Sequence, residues 1–187
     1  MVVAAHPLAA EAGLQVLKNG GNAVDATLAT LFMLNVVEPH ASGLGGGGFA
    51  LVRMADGDAK VVVYREKAPK NVDTEFYFDP ADSSHERKNQ GRSAICVPGA
   101  AAGWAELYET WASKPLAELA EPAIIAAEIG FPIDKTLSMQ IQNNFEKILQ
   151  DSVLASVFLQ DSLPLQEGDT LRQPDLARTF RQLVEKN

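Results

Sequence analysis

Four consecutive glycines, Gly45 to Gly48, stand between a long apolar segment and two short hydrophobic runs in a chain of 187 residues. Glycine is costly to order. A run of it therefore marks backbone at positive φ, or main chain that approaches another segment or a ligand too closely for a Cβ. After Phe49 come a hydrophobic run, the turn signal Asp56-Gly57, a second hydrophobic run and Tyr64-Arg65-Glu66. This pattern predicts a β-hairpin with strands over 49–54 and 60–64. Arg65 stands where the second strand ends. The glycine run and this arginine are the first places to look for function.

The flanking sequence reads mainly as helix. His6-Pro7 opens a short amphipathic helix over 8–18, and Asn19-Gly20-Gly21 closes it. Asn22 and Asp25 have the spacing of a capping box for a helix over 23–37, apolar on nearly every face and so expected inside a core. Thr27, Thr30 and Asn35 interrupt that segment, which is too short to span a membrane. Val61-Val62-Val63 lacks alternation, which predicts a sheet covered on both faces. Farther on, 71–78 reads as irregular, 79–92 as a polar loop, 93–97 as a strand carrying Cys96, and 163–171 as a loop. Helices are expected over 100–111, over 115–129 with a break at Pro122, and over 134–149, 152–159 and 174–185.

Composition removes several function classes. With 24 acidic against 16 basic residues and a net charge of −8, the chain lacks the cationic surface that nucleic acid requires. One cysteine and three histidines, His6, His40 and His85, give neither a disulfide framework nor a zinc spacing, so no metal site is expected. No basic segment followed by an apolar core opens the chain, so no signal peptide is expected in it.

The candidate chemistry narrows to Arg65. Gly43-x-Gly45-x-x-Gly48 matches the dinucleotide fingerprint by letter, but that motif needs a strand before it and a helix after it, and here the order is reversed. His6 and His40 suit capping or hydrogen bonding, His85 lies in the polar loop, and Cys96 reads as an inert small hydrophobe. Ser42 lacks a strand-to-helix elbow, and Asp25 reads as structural. Arg65 is open to two readings of equal standing: a surface ion pair with Glu66 or Glu75, or a permanently charged fork for a carboxylate ligand.

A set of colinear motifs bears on that choice. His6-Pro-Leu-Ala, Gly20-Gly-Asn-Ala-Val-Asp-Ala26, Val37-Glu-Pro39, Ser42-Gly-Leu-Gly-Gly-Gly-Gly-Phe49, Arg65-Glu-Lys-Ala-Pro69, Val97-Pro-Gly99 with Gly103, Pro122-Ala123 with Ala126-Ala-Glu-x-Gly-Phe131, and Gly168-Asp-Thr170 together resemble the gamma-glutamyltransferase (gamma-glutamyltranspeptidase) family. The resemblance implies an α+β fold of the N-terminal nucleophile hydrolase type, with two stacked sheets between helical layers (αββα), of which residues 1–187 form an incomplete domain, the N-terminal part of a large subunit. It implies a precursor that cleaves itself, and a small subunit, derived from it, that begins with a nucleophilic threonine whose own α-amine serves as base. The substrate class implied is a γ-glutamyl compound such as glutathione, whose acyl group passes to water, an amino acid or a peptide, with no cofactor. A periplasmic or extracellular location is implied as well.

Carried over by position, Arg65 matches the family arginine that binds the α-carboxylate of the γ-glutamyl group. Gly45, Gly46, Gly47 and Gly48 match a structural signature near the site. Thr27, Thr30, Thr74, Thr110, Thr136, Thr170 and Thr179 are internal and lack the nucleophile motif, so no catalytic residue is expected in this chain. The alternatives are a related acylase or poly-γ-glutamate transpeptidase, or a noncatalytic assembly module that self-associates through uncovered apolar surface.

Overall fold

The computed structural model describes residues 1–79 and 86–185. In chain order its first elements are α1 (Pro7–Lys18), α2 (Ala23–Val37), β1 (Phe49–Arg53) and β2 (Ala59–Val63), then the short helices α3 (Thr74–Tyr77) and α4 (Glu86–Asn89). A 3-10 turn (Arg92–Ala94) precedes α5 (Ala100–Trp111), α6 (Leu116–Ile129) and β3 (Phe131–Pro132). There follow α7 (Lys135–Asn143), α8 (Phe145–Leu149), α9 (Ser152–Phe158), β4 (Leu159–Gln160), β5 (Leu163–Pro164), β6 (Thr170–Leu171) and α10 (Pro174–Glu185). The chain divides into two compact units, Met1–Gly43 with Leu107–Asn187, and Leu44–Glu106.

The first unit is helical and built around α2, which packs on α1 and α6 while α6 packs on α10. Leu28 and Val36 are wholly buried, and Phe32 meets Phe180 of α10 edge to face at 5.1 Å. Each such side chain contributes roughly 2 kcal/mol through burial. The capping box forms as its spacing requires: the Asn22 side chain accepts from the amides of Val24 and Asp25, and the Asp25 carboxylate accepts from the Asn22 amide at 2.7 Å. Asp25 does more than cap. Fully buried, it also accepts from the Ser113 amide and hydroxyl at 2.9 and 2.6 Å and from the Lys114 amide at 3.2 Å, tying the start of α2 to the α5–α6 loop.

Several expectations change in this unit. Helix α6 runs unbroken through Pro122, where a break is expected from sequence. Proline costs a helix interior about 3 kcal/mol, but here Leu119, Ala120, Ala123, Ile124 and Ala127 on either side are almost completely buried. Leu119 and Ile124 alone recover more than that at roughly 2 kcal/mol or more each, and the proline ring faces solvent. The helix expected over 134–149 is two, because Asn144 turns its side chain onto the Gln140 carbonyl at 2.9 Å and closes α7. The loop expected over 163–171 holds β5 and β6, paired antiparallel with β4 and β3. Among the described residues no helix is long and apolar enough to cross a membrane.

The second unit holds the hairpin. Strands β1 and β2 are antiparallel with Phe49 opposite Val63 and Leu51 opposite Val61, and Gly57 turns the chain at φ 95°. Phe49, Leu51, Val61 and Val63 lie on one face and are 60–76% exposed, so the expected sheet covered on both faces is a two-stranded ribbon with one apolar face bare. The strand expected over 93–97 is also absent: 92–94 is a 3-10 turn, and only Val97 pairs, with Lys67. Residues 74–77, expected irregular, form α3, capped by Asp73. Of the expected polar loop, residues 80–85, including His85, lie outside the described residues.

The Asp25 node carries a measurable prediction. Burial alone raises its pKa, but the hydrogen bonds from Ser113, Asn22 and Lys114 outweigh that and hold the carboxyl below its ordinary 3.8. A folded-state value below the unfolded one means that the stabilisation is complete above pH 3.8 and is lost as pH falls through the folded-state value. Asp25→Ala is expected to lower stability by about 3 kcal/mol, because it removes the buried acceptor shared by four donors. Urea titration at pH 7 checks this, and the deficit relative to the unsubstituted chain should shrink as the pH is taken toward the acid transition.

Candidate functional site

The hairpin ladder continues one residue past its strands. The Tyr64 amide donates to the Gly48 carbonyl at 3.0 Å and the Gly48 amide donates to the Tyr64 carbonyl at 3.2 Å. At Gly47, a Cβ would fall on the Tyr64 carbonyl oxygen and within 3.0 Å of the Arg65 carbonyl carbon, and at Gly48 it would press on the Tyr64 ring. None of Gly45 to Gly48 is at positive φ, so of the two reasons for a glycine run the structure realises close approach. Gly46 plays a different part: its carbonyl accepts from the amides of Gly99 and Ala100, both at 3.0 Å, and so satisfies unpaired donors at the start of α5. Gly45 has open space around its Cβ position.

That arrangement also disposes of the dinucleotide fingerprint. A strand, β1, follows the glycines, and these two amides at the start of α5 point at Gly46 rather than outward to a phosphate.

Arg65 therefore leaves a backbone fixed from two sides. Its side chain is 55% exposed, Nη2 lies 3.0 Å from Glu66 Oε2, and Cζ stands 6.0 Å from the Phe49 ring centroid. An ion pair with one partner this exposed is worth about 0–1 kcal/mol. A ligand carboxylate that bonds the guanidinium in bidentate fashion competes with it at little cost. Beside Arg65 lies a cleft of about 570 Å³ whose lining includes Val61, Val63, Lys67, Val97, Gly99 and Glu106. Its charged groups are two cations, Arg65 and Lys67, and one carboxylate, Glu106.

The other candidates sit elsewhere. His6 caps α1, its Nδ1 accepting from the Leu8 amide at 3.2 Å, and its ring meets Phe131 edge-on at 6.3 Å. His40 is exposed beside a smaller apolar cleft formed with Leu137, Ile141, Ile148 and Phe158. Ser42 lies in the turn after α2, its amide on the Glu38 carbonyl at 2.8 Å. Cys96 is exposed rather than seated in an apolar strand, because the strand that would have buried it does not form. Among the described residues no group of three His, Cys, Asp or Glu could hold a metal ion.

Sequence reasoning missed that Tyr64 meets Gly99, Gly103 and Trp104. The Tyr64 ring lies where a Cβ at Gly103 would be, and the Tyr64 carbonyl where a Cβ at Gly99 would be. Burial pushes the Tyr64 hydroxyl pKa up, and the hydrogen bond from the Trp104 indole partly offsets this. One signal was available: Gly103 sits inside a helix, where glycine is unfavourable unless something must come close.

The chain is helix-rich α+β with small sheets, and one arginine stands at the end of its glycine-locked hairpin. The chain belongs to the gamma-glutamyltranspeptidase family, whose model matches residues 9–187. It is 43% identical over 192 residues to the glutathione hydrolase proenzyme of Bacillus subtilis strain 168, an alignment covering 100% of this chain and 32% of that protein. The acylase ACY 1 proenzyme of Pseudomonas sp. strain SE83 is 40% identical over 188 residues, covering 97% of this chain and 34% of the relative. Among solved structures, the gamma-glutamyltranspeptidase of Helicobacter pylori superposes with a TM-score of 0.93 at 35% identity, covering 100% of this chain and 54% of that one. This chain spans about a third of the length of these curated relatives.

The exposure of Cys96 is directly testable. In the folded chain its thiol should react with a colorimetric disulfide reagent at pH 8 as fast as it does in urea, to within about threefold. A thiol that reacts only after denaturation would place Cys96 back in the interior.

Proposed function

We propose that this chain is the N-terminal part of the large subunit of an enzyme that transfers or hydrolyses γ-glutamyl groups, and that Arg65 binds the α-carboxylate of the donor. The observation that carries this is Arg65 itself, a half-exposed guanidinium at a strand end whose main chain is fixed by glycines and whose internal partner, Glu66, is weakly held. The 43% identity to a glutathione hydrolase proenzyme supports the choice of donor class.

In this reading the nucleophile is a threonine at the start of a small subunit released from the same precursor. Its hydroxyl attacks the γ-carbonyl, its α-amine takes the proton, and the amine leaving group departs to give an acyl-enzyme. Water or an amino acid or peptide acceptor then releases the γ-glutamyl group. Arg65 acts on this sequence by orientation: with the α-carboxylate fixed, the γ-carbonyl is held at a set distance from the attacking oxygen. The proenzyme names of the relatives, and their threefold greater length, support a nucleophile carried outside residues 1–187.

The bare face of the hairpin fits the same reading. Phe49, Leu51, Val61 and Val63 are proposed to be covered by sheet from the remainder of the precursor, which completes the domain and gives the αββα layering. A second reading, an acylase of the same family, is favoured by the 40% identity to a Pseudomonas acylase proenzyme.

Four measurements decide among these. In the enzyme carrying this chain, Arg65→Ala should raise KM for a γ-glutamyl anilide by about 10- to 100-fold with a smaller effect on kcat, the loss of one charge-assisted bidentate contact. An unchanged KM would remove Arg65 from the site, and equal turnover of acyl donors lacking an α-carboxylate would favour the acylase. The isolated chain should give no turnover of the anilide. It should also self-associate through its bare sheet face as concentration rises, seen by light scattering; a monomer far above micromolar concentration would count against the uncovered interface.

A further inference from the structure

Four glycines from two separate stretches of chain meet a single residue, Tyr64, which itself touches none of the chemistry proposed above. Gly47 and Gly48 approach from the loop before β1, Gly99 from the turn before α5, and Gly103 from the first turns of α5. The contacts divide by what they restrain. Gly47 and Gly99 lie against the Tyr64 carbonyl and the following peptide, and Gly103 and Gly48 lie against the ring. Gly103 is buried within a helix, a position where glycine is destabilising unless a close neighbour requires it.

We propose that Tyr64, wedged by its ring into the gap at Gly103 and held by its carbonyl against Gly47 and Gly99, is the positioning residue for Arg65 and sets the carboxylate affinity of the site. The inference rests on the reading of Arg65 as the donor-carboxylate ligand and names what makes that residue competent. The direction in which an arginine leaves the chain is set by its Cα–Cβ bond, and that bond is set by the peptide planes on either side. Here the plane between Tyr64 and Arg65 is enclosed: its oxygen accepts from the Gly48 amide at 3.2 Å, and any rotation drives it into the Gly47 or Gly99 backbone. The side chain closes the remaining freedom. Its ring fills the space left by Gly103, and the Trp104 indole, one residue on, donates to its hydroxyl. Among the described residues, the Glu66 ion pair and a distant Phe49 ring are the other contacts that direct Arg65. A long side chain held so loosely at its tip binds well only if its base does not move.

The test uses the processed two-subunit enzyme and two donors, a γ-glutamyl anilide and a 4-aminobutanoyl anilide, which keeps the amine and lacks the α-carboxylate. Gly103→Ala forces the Tyr64 ring out of its gap, and Tyr64→Leu removes the wedge without adding a clash. Each is expected to raise KM for the γ-glutamyl donor about tenfold with kcat within about threefold, and to leave kcat/KM for the 4-aminobutanoyl donor unchanged. The double variant should be less impaired than the product of the two single effects, because both act on one contact. If Gly103→Ala blocks folding or processing, Tyr64→Leu alone decides. The inference is overturned if the folded variants leave KM for the γ-glutamyl donor unchanged, or impair both donors equally, while Arg65→Ala raises it selectively. If Arg65→Ala has no effect on KM, the reading of the site fails and this inference with it.

Discussion

Main chain meeting main chain at Tyr64 and Arg65 is the constraint on which the glycine-rich unit depends. Backbone from 46–48 and from 99 comes so close to this peptide that any side chain other than hydrogen at Gly47 or Gly99 would overlap it. The same contact organises the hairpin, since the ladder is extended by the Gly48–Tyr64 pair, and it organises the start of α5, whose amides are taken up by Gly46. A loss of backbone entropy at several glycines is thereby exchanged for a rigid base under one arginine. Under the proposed function this rigidity matters, because a guanidinium can discriminate a carboxylate by geometry only if its own origin is fixed.

The helical unit is held by a different device. Its central helix α2 is buried nearly all round, which removes the usual amphipathic cue for orientation. Direction comes instead from polar groups inside the core. The buried Asp25 carboxylate gathers donors from Asn22, Ser113 and Lys114, and at the other end of α2 the Gln173 side chain donates to the Val36 carbonyl at 2.8 Å. Burying a carboxylate costs several kcal/mol, and it is tolerated here because every contact is a donor. Apolar burial supplies most of the stability of this unit, while these few bonds specify which part of the chain each end of α2 meets.

Local signals read well wherever the physics is local. The capping box at Asn22 and Asp25, the turn at Asp56-Gly57 and the helices α1, α2, α5 and α10 all follow from spacing and from residues with restricted backbone preferences. Misreadings gather where distant parts of the chain outweigh a local preference. Pro122 announces a break that core burial overrides, and Cys96 reads as interior because neighbouring apolar residues suggest a strand that has no partner. The three valines of β2 imply covering layers on both sides, yet one face stays bare, because periodicity reports that a surface is apolar and not which segment covers it. At the site, Arg65 was legible as a residue type suited to carboxylates, whereas Tyr64 and Gly103 carry no motif that links them, being 39 positions apart.

By itself, then, the amino-acid sequence determined the family, the principal helices, the hairpin and the arginine at its end, since all of these are written in short-range spacing and in the chemistry of single residues. Only the tertiary structure decided between positive φ and close approach for the glycine run, and it decided for close approach. The reason is that a glycine's identity states that a Cβ is unwelcome without naming what stands in its place. Here that place is taken by Tyr64, directly after β2, against glycines before β1 and at the start of α5, and no reading of one segment at a time could have found it.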